Sequence, residues 1–233
     1  MTAPIELYTW PTPNGFKVSI FLEEAGVPYN VHAIDIGAGD QFDPAFLEFS
    51  PNNKMPAMID PEGPDGSPYS LFESGAMLMY LAEKHGCFWP QNHPARYDTV
   101  KWLMWQMAGF GPMLGQAGHF RFYAPEPVPY AQERYSNELR RLYGVLDRRL
   151  GETAFLAGDD YTIADMATFP WCRSYERHGL AAEEFPNFKR WYDLIGERAA
   201  VQRGSQVLAD RRATKLTDEA RRNLFGTAQY QRR

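Results

Sequence analysis

The stretch that decides the fold is YTWPTPNGFKVSIFLEEAGVPY, residues 8–29. A β-type run ends in Pro-Thr-Pro-Asn-Gly, and a helical pattern starts at once. Apolar residues then recur at i, i+3, i+4 and i+7, which indicates one buried helix face: Val18, Phe21, Leu22 and Ala25. Gly26 and Pro28 end this helix. Strand-type runs flank it at Ile5–Trp10 and Tyr29–Ile36, so the order predicts a right-handed, parallel βαβ unit.

Four further elements are predicted before residue 87. They are a short helix at 44–49, a strand at Ala57–Asp60, a strand in YSLF at 69–72, and a helix in ESGAMLMYLAEKHG at 73–86. The turn-rich DPEGPDGSP joins the two strands as a hairpin. The order βαβ-α-ββα favours an α+β sandwich with a mixed sheet of four strands.

Beyond a linker at residues 88–97, rich in proline and polar side chains, only helical patterns occur. We predict helices at 98–114, 130–150, 162–177 and 187–198, with a bundle stripe at Leu139, Leu142, Leu146 and Leu150. The predicted organisation is an α+β domain at 1–87, an all-helical domain at 98–212 and a tail at 213–233. The tail pattern predicts a short helix followed by a frayed end.

Composition and charge argue against nucleic-acid-binding, membrane-spanning and secreted classes of protein. The net charge of −5 and the isoelectric point near 5.6 give no basic surface for nucleic acid. The longest apolar runs, such as Ala76–Ala82, are far shorter than the ~20 residues that span a bilayer. The first residues carry no basic segment followed by an apolar one, so we expect no signal peptide. Cys87 and Cys172 form neither a CxxC pair nor a disulfide framework, which favours a reduced, cytoplasmic compartment.

Three stretches resemble the cytosolic glutathione transferases: NKMPAMID, LFESGAMLMYLAEKHG and YTIADMATFPW. The resemblance covers about Ile5 to Asp210. PTPNG, SPNNKMP, GPMLGQ and YAQERY are similar to the bacterial Nu class, whose members are also described as disulfide-bond oxidoreductases. The resemblance implies a thioredoxin-like N-terminal domain, an all-α C-terminal domain, glutathione as co-substrate without a metal, and a homodimer.

Thr12 and Asn14 admit a structural and a functional interpretation, and the two are compatible. Thr12 is an ordinary N-cap residue, Pro13 suits the first helical position, and Gly15 permits close packing. Lowering a thiol pKa from about 8.5 to about 6.5 needs ~2.7 kcal/mol. A helix N-terminus contributes ~0.3–1 kcal/mol, or about 2 where partly buried, and one donor to a charged acceptor adds ~1.5–3 kcal/mol.

The resemblance implies that Thr12 and Asn14 donate hydrogen bonds to the sulfur of glutathione. Related glutaredoxin-like proteins place a nucleophilic cysteine at this junction, and this chain has none. Any disulfide chemistry therefore uses the sulfur of bound glutathione as the nucleophile. Tyr8 lies nearby in sequence and corresponds to the donor that other members of the family use.

The resemblance also implies contacts along the tripeptide. Ser74 takes a carboxylate of glutathione and Glu73 its ammonium, although both residues equally suit a plain helix start. Lys54 is implied near the glycyl carboxylate, and Gln41 follows the family pattern. A cis peptide bond before Pro56 is implied to turn the Met55 backbone towards the ligand.

The second-substrate region is predicted in GPMLGQAGHFRFYAPEPVPYAQERY, residues 111–135. One interpretation is a loop pinned by aromatic packing. The other is a wall over the sulfur, with Phe120, Phe122 and Tyr123 shaping the acceptor pocket. Arg134 is implied to bind a carboxylate of a second glutathione, and QAGHFRFY departs from the family pattern.

Other motifs are structural. Thr162 and Asp165 form Thr-x-x-Asp, close to a capping box. Cys87 follows a helix C-terminus, the wrong end to stabilise a thiolate, and Cys172 lies in an apolar helix. His119 and His178 lack metal-ligand spacing.

The sequence thus predicts a glutathione-dependent enzyme that reduces small disulfides, with one or two glutathione moieties per site left open. A conventional transferase that conjugates electrophiles, with peroxidase side activity, is the first alternative. A non-catalytic binding or regulatory protein of the same fold is the second.

Overall fold

The computed structural model describes residues 3–211 and 215–232. Contacts between Cα atoms divide the chain into two compact units. The first comprises the residues up to Leu81 together with those from Ala200 onward, and the second runs from Ala82 to Ala199. The contacts therefore group the C-terminal segment with the N-terminal domain. The domain limits at 87, 97 and 212 remain predictions.

The first unit is built on a mixed sheet of four strands in the order β2-β1-β3-β4. The strands are β1 (Ile5–Thr9), β2 (Tyr29–Ala33), β3 (Ala57–Asp60) and β4 (Tyr69–Phe72). β1 and β2 pair in parallel, and β3 pairs antiparallel with both β1 and β4. The predicted βαβ unit and hairpin are confirmed as a thioredoxin-like arrangement. β2 ends three residues early, where the Asp35 carboxylate accepts from the N–H groups of Gly37 and Ala38 and turns the chain.

Three helices accompany this sheet: α1 (Pro13–Ala25), α2 (Pro44–Leu47) and α3 (Ser74–His85). α1 is buried over most of its length and ends at Gly26, whose φ of 65° is the left-handed conformation that glycine adopts readily. A smaller cluster joins Ile34, Phe46 and Ala57, with Tyr8 and Met55 among the residues packed on it. These contacts support the junction between β1 and α1 from the sheet side.

The second unit is helical. Its elements are α4 (His93–Trp105), α5 (Gly111–Gly118), α6 (Pro129–Glu152), α7 (Ile163–Cys172) and α8 (Pro186–Gly196). Two π-helical turns, Gln106–Phe110 and His119–Tyr123, flank α5. The stripe on α6 is confirmed as core, since all four of its leucines are buried.

Several predicted helix limits were wrong. α4 begins at His93 because Asn92 caps it, so the helix starts inside the predicted linker. The interpretation of residues 111–135 as a loop was also wrong for 111–123, which are helical. Pro112 lies just after the π-helical turn Gln106–Phe110, whose wider hydrogen-bond pattern accommodates a residue without an N–H. α6 continues past Gly151, and α7 ends at Cys172, not near 177.

The C-terminal segment packs against the N-terminal part of the first unit. It contains α9 (Ala199–Gly204), α10 (Asp218–Phe225) and α11 (Ala228–Gln231). The Ser19 hydroxyl donates to the Gly204 carbonyl at 2.7 Å. A Cβ at Gly204 would lie 2.6 Å from Ile20 Cα, so α1 and α9 cross at a distance that only glycine permits. The predicted frayed end is thus helical as far as Gln231.

Across residues 3–211 and 215–232, no helix combines the length and hydropathy needed to cross a bilayer.

Candidate active site

The start of α1 is fixed by Thr12, which has extended backbone angles and accepts from Gly15 N at 3.3 Å. The predicted N-cap is confirmed, with Pro13 in the first turn. A Cβ at Gly15 would lie 2.3 Å from the Trp10 carbonyl oxygen and 2.5 Å from Thr9 Oγ1. Only glycine allows α1 to begin this close to the end of β1.

The Thr12 hydroxyl has a second contact. While its oxygen accepts from the helix, Oγ1 donates to Met55 Sδ at 3.7 Å. Its proton thus points at a sulfur atom. Asn14, half-buried, lies in the same first turn, which carries no acidic residue. A helix N-terminus that also carries one hydroxyl and one side-chain amide is an arrangement that stabilises an anion.

The loop before β3 brings Met55 to this helix start. The Met55–Pro56 peptide bond is cis, as the resemblance implied. Gln41 is buried, and its Nε2 donates to the Ile36 carbonyl at 3.3 Å. Its Oε1 has no hydrogen-bond partner among the described residues. Gln41 therefore supports the loop through one end of its amide and leaves the other end as an acceptor.

Lys54 is exposed, and its Nζ donates to Gln229 Oε1 on α11. The neighbouring Asn53 Nδ2 donates to the Gln229 backbone carbonyl at 3.1 Å. Asn223 Nδ2 on α10 donates to the Gly37 carbonyl at 2.8 Å. These contacts seat the C-terminal helices on residues 37–54, the loop that carries Gln41 and Lys54.

The docking of α10 and α11 depends on the glycines of the segment IGAGD, residues 36–40. A Cβ at Gly39, whose φ is 98°, would lie 3.0 Å from Arg232 Nη1 and 3.2 Å from Asn223 Nδ2. The Arg232 guanidinium lies over the Phe42 ring, 4.9 Å from its centroid. Sequence reasoning missed Asn223 and Gln229, because a docking contact 175 or more residues away in the chain has no local pattern.

The turn into α3 places Glu73 and Ser74 side by side. Glu73 is exposed and has a φ of 70°, a left-handed conformation that is uncommon for a non-glycine residue and often marks a functional site. Ser74 is 4% exposed. Lys17 Nζ of α1 lies 3.5 Å from Ser74 Oγ. Sequence reasoning did not single out Lys17; its signal is a charge at a position where the neighbouring residues of α1 are core.

The predicted second-substrate residues lie in the helical unit. Phe120 stacks on Tyr135 of α6, with centroids 5.4 Å apart and an angle of 7°. Phe122 stacks instead on His178 at 5.8 Å, with the Arg177 guanidinium 4.0 Å from its ring centroid. Tyr123 contacts Phe122 edge-on. Phe122 and Tyr123 are thus in contact with each other, while Phe120 packs against α6. The partner of Phe120 on α6, Tyr135, was not predicted as a site residue.

Arg134 is exposed on α6, where its charge helps to lower the pKa of Glu138 after the larger effect of Arg141. The implied role of Arg134 toward a second glutathione stays a prediction.

The capping residues of α7 form a buried network. Thr162 and Asp165 make the predicted capping box. The Asp165 carboxylate also accepts from Leu156 N at 3.0 Å and from Trp191 Nε1 at 2.9 Å. Burial raises the pKa of Asp165, although these hydrogen bonds act in the opposite direction.

The two cysteines and His178 do not add a reactive group. Burial raises the pKa of both thiols, Cys87 and Cys172. Burial lowers the pKa of His178 to about 4, helped by the charges of Arg121 and Arg177. The described part of the chain contains no group of three His, Cys, Asp or Glu side chains that is arranged to bind a metal.

Tyr8 packs among other aromatic rings. Its ring stacks on His32 with centroids 4.5 Å apart and contacts Phe49 at 4.7 Å. The ring is packed in this aromatic cluster, and the candidate donors at the helix start are Thr12 and Asn14.

Comparisons with known proteins agree with this geometry. The model of the glutathione S-transferase N-terminal domain matches residues 3–83, and that of the C-terminal domain matches residues 110–199. Disulfide-bond oxidoreductase YfcG of Escherichia coli is 49% identical over 84% of this chain and 92% of its own.

Two solved structures are similar in fold. A glutathione transferase from Burkholderia graminis, with two glutathione molecules bound per subunit, has a TM-score of 0.84 and 47% identity, and the match covers 87% of this chain and 88% of that one. One from Pseudomonas putida, with one glutathione disulfide bound per subunit, has a TM-score of 0.83 and 46% identity over 88% and 91% of the two chains.

Proposed function

We propose that this chain, which belongs to the glutathione S-transferase family, is a glutathione-dependent disulfide-bond reductase. The observation that carries the proposal is the contact between the Thr12 hydroxyl and a sulfur atom at the start of α1. The junction contains no cysteine, and both cysteines of the chain have raised thiol pKa values. The thiolate is therefore supplied by bound glutathione.

Thr12 and Asn14 stabilise this thiolate and are not nucleophiles. The Thr12 Oγ–H, which donates to the Met55 thioether, turns to the thiolate, because a charged sulfur is the stronger acceptor. The positive end of α1 adds to this effect. The thiol proton passes to solvent, and the sulfur is left as a nucleophile at neutral pH.

Reduction then follows two thiol–disulfide exchanges. The glutathione thiolate attacks one sulfur of the substrate disulfide, a new S–S bond forms, and the other sulfur leaves as a thiolate that takes a proton. A second glutathione thiolate attacks the glutathione sulfur of this mixed disulfide and releases the second substrate thiol. Two glutathiones are oxidised to glutathione disulfide, and one disulfide is reduced to two thiols.

Contacts along the tripeptide are proposed for five residues of the first unit. Glu73 pairs with the γ-glutamyl ammonium, Ser74 binds its carboxylate, and Lys54 binds the glycyl carboxylate. The Met55 backbone pairs with the cysteinyl backbone, and Gln41 offers the unpartnered Oε1. The opposite charges of Glu73 and Lys54 match the opposite charges of the ligand.

The two solved structures hold two glutathione molecules or one glutathione disulfide per subunit, which supports a site for two glutathione moieties in this chain. We assign the second moiety to Arg134 and the acceptor pocket to Phe120, Phe122 and Tyr123. The homodimer and the cytoplasmic location remain predictions, and sedimentation analysis of the purified chain tests the first.

The function is tested by comparing acceptors at fixed glutathione concentration. We expect turnover of a hydroxyethyl disulfide to exceed conjugation of a chloronitroaromatic by at least tenfold. A preference for the aromatic would establish the conjugating transferase instead. Calorimetry without binding of glutathione or its disulfide would favour a non-catalytic protein.

A further inference from the structure

Two buried asparagines join the C-terminal helices to the two ends of the loop at residues 37–54. At the start of the loop, Asn223 Nδ2 of α10 donates to the Gly37 carbonyl at 2.8 Å. At its end, Asn53 Nδ2 donates to the Gln229 backbone carbonyl of α11 at 3.1 Å. Asn223 is 6% exposed and Asn53 is 2% exposed. A buried amide that lost its acceptor would be unfavourable, so both side chains favour the docked position of these helices.

Packing contacts lie along the same loop. A Cβ at Gly37 would lie 3.4 Å from Ala220 Cβ, so α10 lies against the loop where the chain carries no side chain. Further along, the Arg232 guanidinium covers the Phe42 ring, 4.9 Å from its centroid. Only residues 226–227 separate α10 from α11, so the two helices form one short hairpin. This hairpin holds the loop at its start, in its first helical turn and at its end.

The residues that the hairpin holds are direct neighbours of two proposed glutathione contacts. Phe42 follows Gln41 in the chain, and Asn53 precedes Lys54. Gln41 is also tied to the start of the loop, since its Nε2 donates to the Ile36 carbonyl at 3.3 Å. Because one segment holds both neighbours, it sets the separation between the Gln41 amide and the Lys54 ammonium.

The loop has little regular structure to fix this separation by itself. Its helical parts are a 3₁₀ turn at Asp40–Phe42 and the four-residue α2. Near its end, Asn53 has a φ of 47°, a left-handed conformation that surrounding contacts must maintain in a non-glycine residue. A loop that is ordered before the ligand arrives avoids the entropy cost of ordering on binding, and this raises affinity.

We propose that α10 and α11 brace the glutathione site, and that Asn223 and Asn53 are positioning residues for its loop. The brace sets the spacing of Gln41 and Lys54, so this inference rests on the proposed function, which assigns both residues to glutathione. The bond from Asn53 goes to the backbone of Gln229. A ligand that displaces the Gln229 side chain from Lys54 therefore leaves this bond in place.

The test measures binding and turnover separately. Asn223→Leu keeps roughly the side-chain volume and removes the donor, and by calorimetry it should bind glutathione about 5- to 20-fold more weakly than the wild type. KM for glutathione should rise with it, while kcat at saturating glutathione stays within about twofold, because the proposed thiolate donors lie at the start of α1. Arg222→Leu, the same replacement at an exposed neighbouring position on α10, is the control and should match the wild type.

Asn53→Gly tests the other end of the brace. Glycine keeps the left-handed backbone and removes the amide. This variant should weaken glutathione binding by a similar factor. The double variant should bind no more than about twofold more weakly than either single one, because each change already releases the same segment.

Three results would overturn the inference. They are unchanged glutathione affinity in either single variant, losses that add in the double variant, and a fall in kcat at saturation. A purely structural role for these asparagines gives the first result together with a lower melting temperature. Should Asn223→Leu fail to fold, the affinity and kcat of Asn53→Gly decide. A wild type that binds no glutathione would instead overturn the proposed function.

Discussion

The hydroxyl of Thr12 bonds in two directions: it accepts from Gly15 N at 3.3 Å and donates to Met55 Sδ at 3.7 Å. Capping a helix and donating to sulfur use different parts of one group, a lone pair and a proton. The structural and functional interpretations of Thr12 therefore do not compete. The same side chain starts the helix and aims a proton at the place where we propose that glutathione sulfur binds.

Replacing Thr12 with alanine removes both roles, and two measurements distinguish their effects. Thr12→Ala removes the donor to the thiolate, so we expect kcat/KM for disulfide reduction to fall about 10- to 100-fold. Loss of the cap lowers the free energy of unfolding by about 0.5–2 kcal/mol. The pKa of bound glutathione, followed by thiolate absorbance, should rise. Thr12→Ser retains a hydroxyl and serves as the control; a full loss of activity in that variant would contradict the assignment.

The cysteines are tested together. Cys87→Ala combined with Cys172→Ala should retain most of the disulfide reductase activity, because both thiols have raised pKa values and the mechanism uses neither. Steady-state kinetics with a hydroxyethyl disulfide are the measurement. An inactive but folded double variant would show that the nucleophile is a protein thiol.

Asp165 is a folding residue. Its carboxylate accepts from the backbone N–H of Leu156 and Thr162 and from Trp191 Nε1, all in the buried core of the helical unit. Asp165→Ala leaves these donors without a partner, so we expect a loss of about 3–5 kcal/mol of stability. Denaturant unfolding measures the loss, with the exposed Asp160→Ala as the control. A large fall in kcat per folded molecule at unchanged stability would contradict this role.

Lys17 makes stability depend on pH. Its pKa is about 7 in the folded chain and near 10.5 in the unfolded one, so between these values the unfolded state binds more protons. The free energy of unfolding of the wild type, relative to Lys17→Met, should therefore increase as pH rises. We expect about 1 kcal/mol per pH unit between pH 7.5 and 9.5. A difference that is flat with pH would contradict the burial of this group.

Gln229 accepts a hydrogen bond from Lys54 and competes with the ligand for it. A carboxylate is a stronger acceptor than an amide oxygen, so the glycyl end of glutathione displaces Gln229. Gln229→Ala should bind glutathione about 2- to 10-fold more tightly, since the hydrogen bond from the Lys54 ammonium to the Gln229 amide oxygen no longer has to be broken. Calorimetry gives the affinity, with Gln231→Ala as the control. Weaker binding by Gln229→Ala would mean that this side chain assists the ligand.

Local patterns predicted the N-terminal elements well. The period of α1, the glycine after it and the turn residues before β4 are all consequences of interactions within a few residues, and each element occurs as predicted. The helix limits near Pro112 and Gly151 were wrong because both residues weaken a helix only in certain positions, and neighbouring helices decide whether the chain continues.

The residues of the candidate site likewise divide into those with a local sequence signal and those defined by long-range contacts. Thr12 and Pro56 were predictable because cap chemistry and the family motif are both local. Lys17 was missed because its contact with Ser74 spans 57 residues of the chain, and Gln229 because it is 175 residues from Lys54. Contacts at such separations are specified by the packing of the whole unit and have no periodicity to detect.

Where Gly204 crosses Ile20, α9, from the C-terminal segment, packs directly on α1, from the start of the N-terminal domain. The sheet and α1 are synthesised first, but the helix that packs on α1 comes after the entire helical unit. The first unit is therefore completed only when the ribosome has made the residues beyond Ala199, and its closing contacts are among the most distant in sequence. Such contacts form late and slowly. A nascent chain arrested before this point would expose the face of α1 that α9 covers, and chaperones recognise such apolar surface.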